Sequence, residues 1–224
     1  MGPQWNDGRR FEGKVAVVTG GAGTLGGAVA RAFGSEGASV AIGYRSSRSQ
    51  AGEVVAELKG RDGQAHSGRL DVTDQESVDG FVADVVERYG RLDVLVNAAG
   101  RLDEADTVRF SELDTAAASA LLQVDVIGAM RMCHAVRPMM LEGGGGAIVN
   151  FSSTYGNGIN PANAINFVPV TYSTAKGAIR GFTTTLARDL APEIRVNALA
   201  PGQSRANGRQ SGGSHPSTSM RQSP

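Results

Sequence analysis

The 224-residue sequence contains one cysteine, few aromatic residues and no excess of charge of either sign. A single cysteine, Cys133, excludes an internal disulfide and fits a reducing compartment. The 22 basic and 22 acidic residues give a net charge of zero. There is no basic stripe, acidic block or long apolar run that would indicate nucleic acid or a membrane. The N-terminus has no apolar signal segment, and Asn6 stands where a myristoylation signal needs Ser or Thr. We therefore expect a cytoplasmic protein whose partner is a small molecule.

Glycine is abundant, with 31 residues, and 41% of the chain is hydrophobic. This composition predicts one globular domain with an ample core. The pattern divides the chain into an N-terminal extension at 1–12, a domain at 13–202 and a tail at 203–224. The tail is rich in Ser, Gly, Arg and Gln, and its only apolar residues are Ala206 and Met220. Because such a composition cannot bury a core, we expect the tail to be disordered.

Short apolar runs and stretches of helical periodicity alternate along the domain. The runs predict strands at 14–19, 38–44, 64–70, 92–97, 146–152 and 194–199. Between them the spacing predicts helices at about 25–33, 49–58, 76–89, 111–136 and 171–191, the third opened by a capping box from Thr73 to Glu76. Regular alternation of this kind predicts a three-layer α/β fold in which helices cover both faces of a parallel sheet. Ligands of such sheets bind beyond the carboxyl ends of the strands.

A glycine-rich turn joins the first strand to the first helix. It reads Thr19-Gly20-Gly21-Ala22-Gly23-Thr24-Leu25-Gly26. Glycines allow a tight turn there, and they leave backbone N–H groups and the helix dipole facing a phosphate. Many glycine-rich turns bind no ligand. The position of this one between the first strand and the first helix favours a dinucleotide-binding site.

The second strand ends at Tyr44 and Arg45. An acidic residue at this position would bind the ribose 2′-hydroxyl of NAD, whereas Arg45 can pair with the 2′-phosphate of NADP. We therefore favour NADP(H) and keep NAD(H) as the alternative. Arg45 would otherwise be an ordinary surface charge.

Tyr172 and Lys176 stand four residues apart in a predicted helix and so share one face. A free phenol titrates at about pH 10 and is protonated at neutral pH, so it needs a nearby positive charge to act as an acid/base catalyst. Lys176 can supply that charge. Taken alone, the same spacing also occurs in helices where both side chains have a structural role.

Together these motifs resemble the short-chain dehydrogenase/reductase family over about 11–202. The glycine motif of the family matches Thr19, Gly20 and Gly26, and Asp71 with Val72 matches its adenine-contacting pair. Asn97-Ala98-Ala99-Gly100 is similar to the family's Asn-Asn-Ala-Gly, and Ser153 to its catalytic serine. The segment from Arg195 to Pro201 and Gly202 resembles the one that borders the nicotinamide.

The resemblance implies a Rossmann-like fold and an NAD(P)-dependent oxidoreductase that acts on a secondary alcohol or ketone, such as a 3-oxoacyl thioester, a polyol or a sugar. Tyr172 would exchange the proton, Ser153 would hold the substrate oxygen, and Lys176 would also bind the nicotinamide ribose. The resemblance assigns further cofactor contacts to Gly23, Thr24, Leu25, Asn97, Ala99, Gly100, Tyr172, Pro201 and Gly202. It also implies a homodimer formed through the helices at 111–136 and 171–191.

The chain departs from the family in four places. Thr24 stands where the family's turn has its second glycine, although Gly23 beside it can still satisfy a Gly-x-Gly-x-x-Gly turn. Asp125 stands where the family usually has an Asn that supports a water relay to the lysine; Asp can still order water, but its charge would oppose a phenolate at Tyr172. The interval from Ser153 to Tyr172 is longer than usual, with 156–168 rich in Asn and Gly, so we expect an inserted loop. After Gly202, the family's substrate lid and last strand are not recognisable. The alternative function is therefore a dinucleotide-binding remnant with impaired catalysis.

Overall fold

The computed structural model describes residues 9–60, 63–103, 106–159 and 168–202. Its strands are β1 (Val15–Thr19), β2 (Ser39–Tyr44), β3 (Ala65–Arg69), β4 (Val94–Asn97), β5 (Gly146–Phe151) and β6 (Ile194–Leu199). They form one six-stranded sheet in the order β3-β2-β1-β4-β5-β6. Every neighbouring pair is parallel. The chain reverses its direction of travel across the sheet between β3 and β4, which places a ligand crevice at the carboxyl ends of β1 and β4.

The helices are α1 (Thr24–Ser35), α2 (Arg48–Lys59), α3 (Gln75–Tyr89), α4 (Thr115–Leu122), α5 (Gly128–Glu142) and α6 (Val170–Asp189). Side chains of α1 and α2 pack on one face of the sheet, around Val40 and Ile42. Side chains of α3, α5 and α6 pack on the opposite face, around Leu95 and Ile148. These two cores confirm the predicted three-layer α/β fold.

The expectation of full cover on both faces is met only in part. Along β6, Ile194 and Val196 are buried while Arg195 and Asn197 are exposed. On β5, Val149 and its neighbours on the same face are half-buried. Within the described residues the sheet ends at β6, and the predicted tail at 203–224 lies outside the described residues.

One predicted helix start and one predicted cap were wrong, and in both places an aspartate is the cap. Helix α4 begins at Thr115 rather than at 111, because the Asp114 carboxylate accepts a hydrogen bond from the Ala116 N–H at 2.8 Å. The cap of α3 is Asp74, which accepts from the Glu76 N–H at 3.2 Å, and not Thr73. An aspartate satisfies a free N–H group of the first turn as well as Ser or Thr does.

The expected helix at 111–136 is a continuous helical stretch, Thr115–Glu142, interrupted by a π-helical turn at Gln123–Ile127. By length and composition alone this stretch could cross a membrane, because its mean hydropathy reaches 1.3 over the most apolar window, of which 39% is buried. Its buried side chains, including Met132, Val136 and Met140, belong to the core beside the sheet. That packing is typical of a core helix in a globular domain.

The start of the domain is anchored through Asp93, a buried carboxylate just before β4. Asp93 accepts hydrogen bonds from the Val15 N–H at 2.9 Å and from the side chains of Lys14 at 3.0 Å and Arg91. Burial raises the pKa of Asp93, but the bonds from Arg91, Val15 and Lys14 outweigh burial and hold it below its ordinary value. These bonds tie the first residue of β1 to the segment that enters the neighbouring strand.

Candidate active site

The glycine turn after β1 is built for close approach between two backbones. Gly20 has φ of +64°, a left-handed conformation, and a Cβ atom there would lie 2.8 Å from Ala99 Cα. Both conditions exclude a side chain. Thr19 holds the same two loops together, because its Oγ1 accepts hydrogen bonds from the Ala98 N–H at 3.1 Å and the Ala99 N–H at 2.9 Å. Thr19 was named in the sequence motif without this role.

A cleft of about 1010 Å³ opens along the carboxyl ends of the strands. Several predicted cofactor residues line it, and they are Gly20, Gly23, Arg45, Asp71, Val72, Ala99 and Gly100. A dinucleotide fits this cradle on two observations. Gly20 packs so closely on the Ala98–Ala99 backbone that the turn is fixed beside the cleft it lines, and the N-cap of α1, Gly23, has no side chain to occupy the first N–H groups of the helix. Those groups are therefore available to an anion such as a pyrophosphate.

Arg45 and Asp71 lie at one end of this cleft, after β2 and β3. Asp71 accepts hydrogen bonds from the Thr73 hydroxyl at 2.7 Å and the Thr73 N–H at 2.9 Å. These two bonds, followed by the charges of Arg45 and Arg69, lower the pKa of Asp71 against the opposing effect of partial burial. Arg45 is exposed, and Ser46 and Ser47 line the cleft beside it. Neither serine was predicted from the sequence, although two hydroxyls directly after Arg45 are suited to a phosphate.

Not every predicted cofactor residue lines the cleft. Thr24, Leu25 and Gly26 lie in the first turn of α1, directly after the lining residue Gly23. The Asn97 side chain is buried, and its Nδ2 donates to Asn150 Oδ1 at 2.9 Å, across the β4–β5 register. A cofactor contact for Asn97 therefore stays a prediction. Pro201 follows β6, and its carbonyl accepts from the Thr154 N–H at 3.2 Å; Gly202 is the next residue.

Lys176 and Tyr172 lie on one face of α6, as predicted. The Lys176 side chain is almost fully buried, and its Nζ lies 5.6 Å from the centroid of the Tyr172 ring. Lys176 Nζ also donates a hydrogen bond to the Phe151 carbonyl at 3.1 Å. The ammonium is thus held near the tyrosine ring by the end of β5.

Asp125 lies in the π-helical turn between α4 and α5, and only 3% of its surface is exposed. Its Oδ2 is 2.8 Å from Lys176 Nζ, in an ion pair whose angles are not those of a hydrogen bond. Its Oδ1 accepts a hydrogen bond from the Arg101 N–H at 2.8 Å. Asp125 thus contacts the lysine directly, and its expected role in ordering water for Lys176 stays a prediction. Single π-helical turns are frequent at functional sites.

Ser153 follows β5 and caps the 3₁₀ turn Thr154–Asn157. Its side chain is buried, and its Oγ accepts a hydrogen bond from the Tyr155 N–H at 3.2 Å. The preceding residue, Ser152, donates from its hydroxyl to the Lys176 carbonyl at 2.7 Å. The structure therefore brings Ser153, Tyr172, Lys176 and Asp125 together where β5, α6 and the π turn meet. Most of the expected inserted loop lies outside the described residues.

Cys133 is the remaining nucleophilic side chain of this region. It is buried in α5 beneath Asn97, whose Nδ2 lies 3.4 Å from the sulfur. Burial raises the pKa of the Cys133 thiol to about 12. Because the thiolate is the reactive form, Cys133 is a core residue rather than a nucleophile at neutral pH.

A glycine cradle for a dinucleotide, followed by a Ser, Tyr and Lys group at the carboxyl ends of parallel strands, defines a class of nicotinamide-dependent enzymes. The family model described as short chain dehydrogenase matches residues 14–215. The chain belongs to the short-chain dehydrogenase/reductase family and is an NAD(P)-dependent oxidoreductase. The match extends past Gly202, where the recognised motifs end.

Relatives with named activities support the family assignment. The 3-oxoacyl-acyl-carrier-protein reductase FabG of Thermotoga maritima is 38% identical over 194 residues, which cover 86% of this chain and 75% of that protein. The D-threitol dehydrogenase of Mycolicibacterium smegmatis is 35% identical over 196 residues, which cover 86% of this chain and 70% of that protein. Both are oxidoreductases, and they act on different kinds of substrate.

Two solved structures share the fold. An NAD⁺-bound xylitol dehydrogenase has a TM-score of 0.78 and 34% identity, covering 86% of this chain and 71% of its own. A short-chain dehydrogenase of Burkholderia cenocepacia in complex with NADP has a TM-score of 0.77 and 33% identity, covering 86% of this chain and 75% of its own. The two neighbours hold different cofactors.

Proposed function

We propose that this enzyme interconverts a secondary alcohol and a ketone with NADP(H) in preference to NAD(H), and that Tyr172 is its acid/base catalyst. The observation that carries the proposal is that Lys176 Nζ lies 5.6 Å from the centroid of the Tyr172 ring, near the end of β5, which Ser153 follows. A phenol beside a buried ammonium, with a hydroxyl donor in the adjacent turn, has the groups needed to move one proton at a carbonyl oxygen.

The bound nicotinamide would supply or accept the hydride. In the reductive direction, the Tyr172 phenol donates its proton to the substrate oxygen, and in the oxidative direction the phenolate accepts that proton. The positive charge of Lys176 favours the phenolate, while the negative charge of Asp125 opposes it. The Oγ of Ser153 already accepts the Tyr155 N–H, so its own hydrogen can point at the substrate oxygen.

The preference for NADP(H) is proposed from the polar groups after β2. Arg45 is exposed at the cleft, with the hydroxyls of Ser46 and Ser47 beside it. A guanidinium and two hydroxyls suit a 2′-phosphate, and no carboxylate stands at this position to bind a free 2′-hydroxyl. The same cleft also contains Asp71, which we propose as the adenine contact.

The proposed substrate classes are 3-oxoacyl thioesters on one side and polyols or sugars on the other, following the relatives named above.

A homodimer formed through Thr115–Glu142 and α6 is a further proposal, as is a cytoplasmic location. Static and dynamic light scattering over a range of protein concentration tests the dimer. A concentration-independent monomer mass contradicts it.

The direct test is a fluorescence titration with NADPH and NADH, combined with thermal melts in the presence of each cofactor. We expect saturable binding of both, tighter binding of NADPH, and a larger rise in melting temperature with NADPH. A substrate panel then follows, with acetoacetyl thioester as ketone and D-threitol and xylitol as alcohols. If neither NADPH nor NADH binds, the proposed function is contradicted. If a cofactor binds but no substrate is turned over, the result supports the alternative of a dinucleotide-binding remnant with impaired catalysis.

A further inference from the structure

The two catalytic side chains proposed above both contact one further residue, Tyr155. Its backbone N–H donates to Ser153 Oγ at 3.2 Å. Its ring packs edge-to-face against the ring of Tyr172, with centroids 5.9 Å apart and an interplanar angle of 75°. We propose that Tyr155 is a positioning residue that holds Ser153 and Tyr172 in the orientation required for proton transfer. This inference rests on the proposed function.

The turn that carries Tyr155 is fastened to both neighbouring elements. The Thr154 N–H donates to the Pro201 carbonyl at 3.2 Å, after β6. On the other side, Gly156 packs against the α6 backbone so closely that a Cβ would lie 2.7 Å from the Lys176 carbonyl. Ser152 bonds to that same carbonyl. Backbone contacts on both sides thus fix the position of the turn that carries Tyr155 relative to α6.

The two contacts of Tyr155 have different consequences. The N–H bond occupies a lone pair of Ser153 Oγ and leaves the hydroxyl hydrogen for the substrate. The ring contact restricts rotation of Tyr172 about χ1, the torsion that sets where its hydroxyl lies. A phenol that is free to swing spends less time in reach of the carbonyl oxygen, and small misplacements of a catalytic group lower the rate strongly. The ring of residue 155 should therefore affect kcat more than cofactor binding.

The test compares Tyr155→Leu with Tyr155→Phe. The leucine variant removes the aromatic edge, and the phenylalanine variant keeps it, while both retain the backbone N–H. An edge-to-face pair is worth about a 2-fold to 10-fold change in rate when it acts only on the reacting geometry. We expect Tyr155→Leu to lower kcat about 5-fold at saturating substrate. We expect Tyr155→Phe to restore most of the lost rate.

The matched control is Phe110→Leu, an aromatic-to-leucine change at a side chain that is 71% exposed, in the 3₁₀ turn Phe110–Glu112 before α4. It should leave kcat unchanged. All four proteins are compared by kcat, substrate KM, NADPH affinity and melting temperature. Support for the inference is a fall in kcat in Tyr155→Leu alone, with NADPH affinity unchanged and with recovery in Tyr155→Phe.

Two results overturn the inference. One is a Tyr155→Leu enzyme with the wild-type kcat, and the other is a Tyr155→Phe enzyme no faster than Tyr155→Leu. If Tyr155→Leu melts at a lower temperature, single-turnover rates on the folded fraction decide, since a purely structural role predicts an unchanged rate per folded molecule. A wild-type protein that binds NADPH but reduces no ketone contradicts the proposed function itself, which separates that failure from a failure of the inference alone.

Discussion

Lys176 Nζ lies 2.8 Å from Asp125 Oδ2, and both side chains are more than nine-tenths buried. The pair joins α6 to the π-helical turn, and the second carboxylate oxygen of Asp125 holds the Arg101 N–H at the cleft. A buried ion pair is costly to desolvate, so it is weak evidence for stability by itself. Its position beside Tyr172 gives it a consequence for catalysis, because it adds a negative charge near the proposed phenolate.

Replacing Asp125→Asn should move the pH profile of alcohol oxidation. Asn keeps an oxygen for the Arg101 N–H but removes the charge that opposes the phenolate. The acid limb of the profile of kcat should therefore shift to lower pH. The loss of the ion pair should also destabilise the fold by about 3 kcal/mol, because it leaves the buried Lys176 side chain without its carboxylate partner.

The control for this charge change is Asp114→Asn, at the exposed N-cap of α4. Asn caps a helix as well as Asp does, so stability and pH profile should both stay at the wild-type values. Superimposable profiles for Asp125→Asn and the wild-type enzyme would show that the carboxylate does not act on the proton-transfer step.

Arg45→Gln should weaken NADPH binding about 10-fold to 100-fold, because a charge-assisted bond to the 2′-phosphate is lost. NADH lacks that phosphate, and its affinity should stay the same. Fluorescence titration measures both constants. Arg48→Gln is the matched control, since Arg48 is an exposed arginine at the start of α2 that does not line the cleft. Equal losses for NADPH and NADH in Arg45→Gln would refute the preference.

Gly20→Ala should abolish the cofactor cradle. The new Cβ would meet Ala99 Cα at 2.8 Å, and the residue would be held at φ of +64°. We expect a loss of at least about 2 kcal/mol in the free energy of unfolding, together with loss of NADPH binding. Gly80→Ala in α3 is the control, because a Cβ there meets nothing within 4 Å. That substitution should stabilise the protein by up to about 1 kcal/mol. Urea denaturation of both variants measures the difference.

Asp93→Asn should destabilise the protein in a pH-dependent way. The folded pKa of Asp93 lies below its ordinary value of 3.8, since the bonds from Arg91, Val15 and Lys14 outweigh the effect of burial. Its stabilisation is therefore complete above that ordinary value and is lost as the pH falls through the folded pKa. We expect a difference from wild type of about 2 kcal/mol at neutral pH, moderated by the partial exposure of Lys14 and Arg91.

Urea denaturation at several pH values measures this effect. The difference between Asp93→Asn and wild type should be constant between neutral pH and about pH 5 and should shrink below about pH 4. Asp79→Asn, at an exposed position of α3, should show little difference at any pH. A gap that stays constant down to strongly acidic pH would show that the charge of Asp93 contributes nothing.

Strand positions were predicted to within a few residues because short runs of β-branched residues are typical of buried parallel strands. The run at 38–44, for example, contains β2 at Ser39–Tyr44. The helix at 111–136 was less accurate. Its true start depends on Asp114 as a cap, and its interruption at Gln123–Ile127 accompanies the contact of Asp125 with Lys176. A π-helical turn formed around a distant partner leaves no trace in local periodicity.

The sequence by itself determined the order of strands and helices, the glycine turn after β1, and the shared helical face of Tyr172 and Lys176. These features depend on neighbours within one or two turns of chain, where spacing alone sets which side chains lie together. Only the tertiary structure decided that Asp125 meets Lys176 directly, that Asn97 is buried against Asn150, and that Tyr155 packs on Tyr172. These contacts join separate elements, and they depend on strand register and helix packing, which local spacing does not encode.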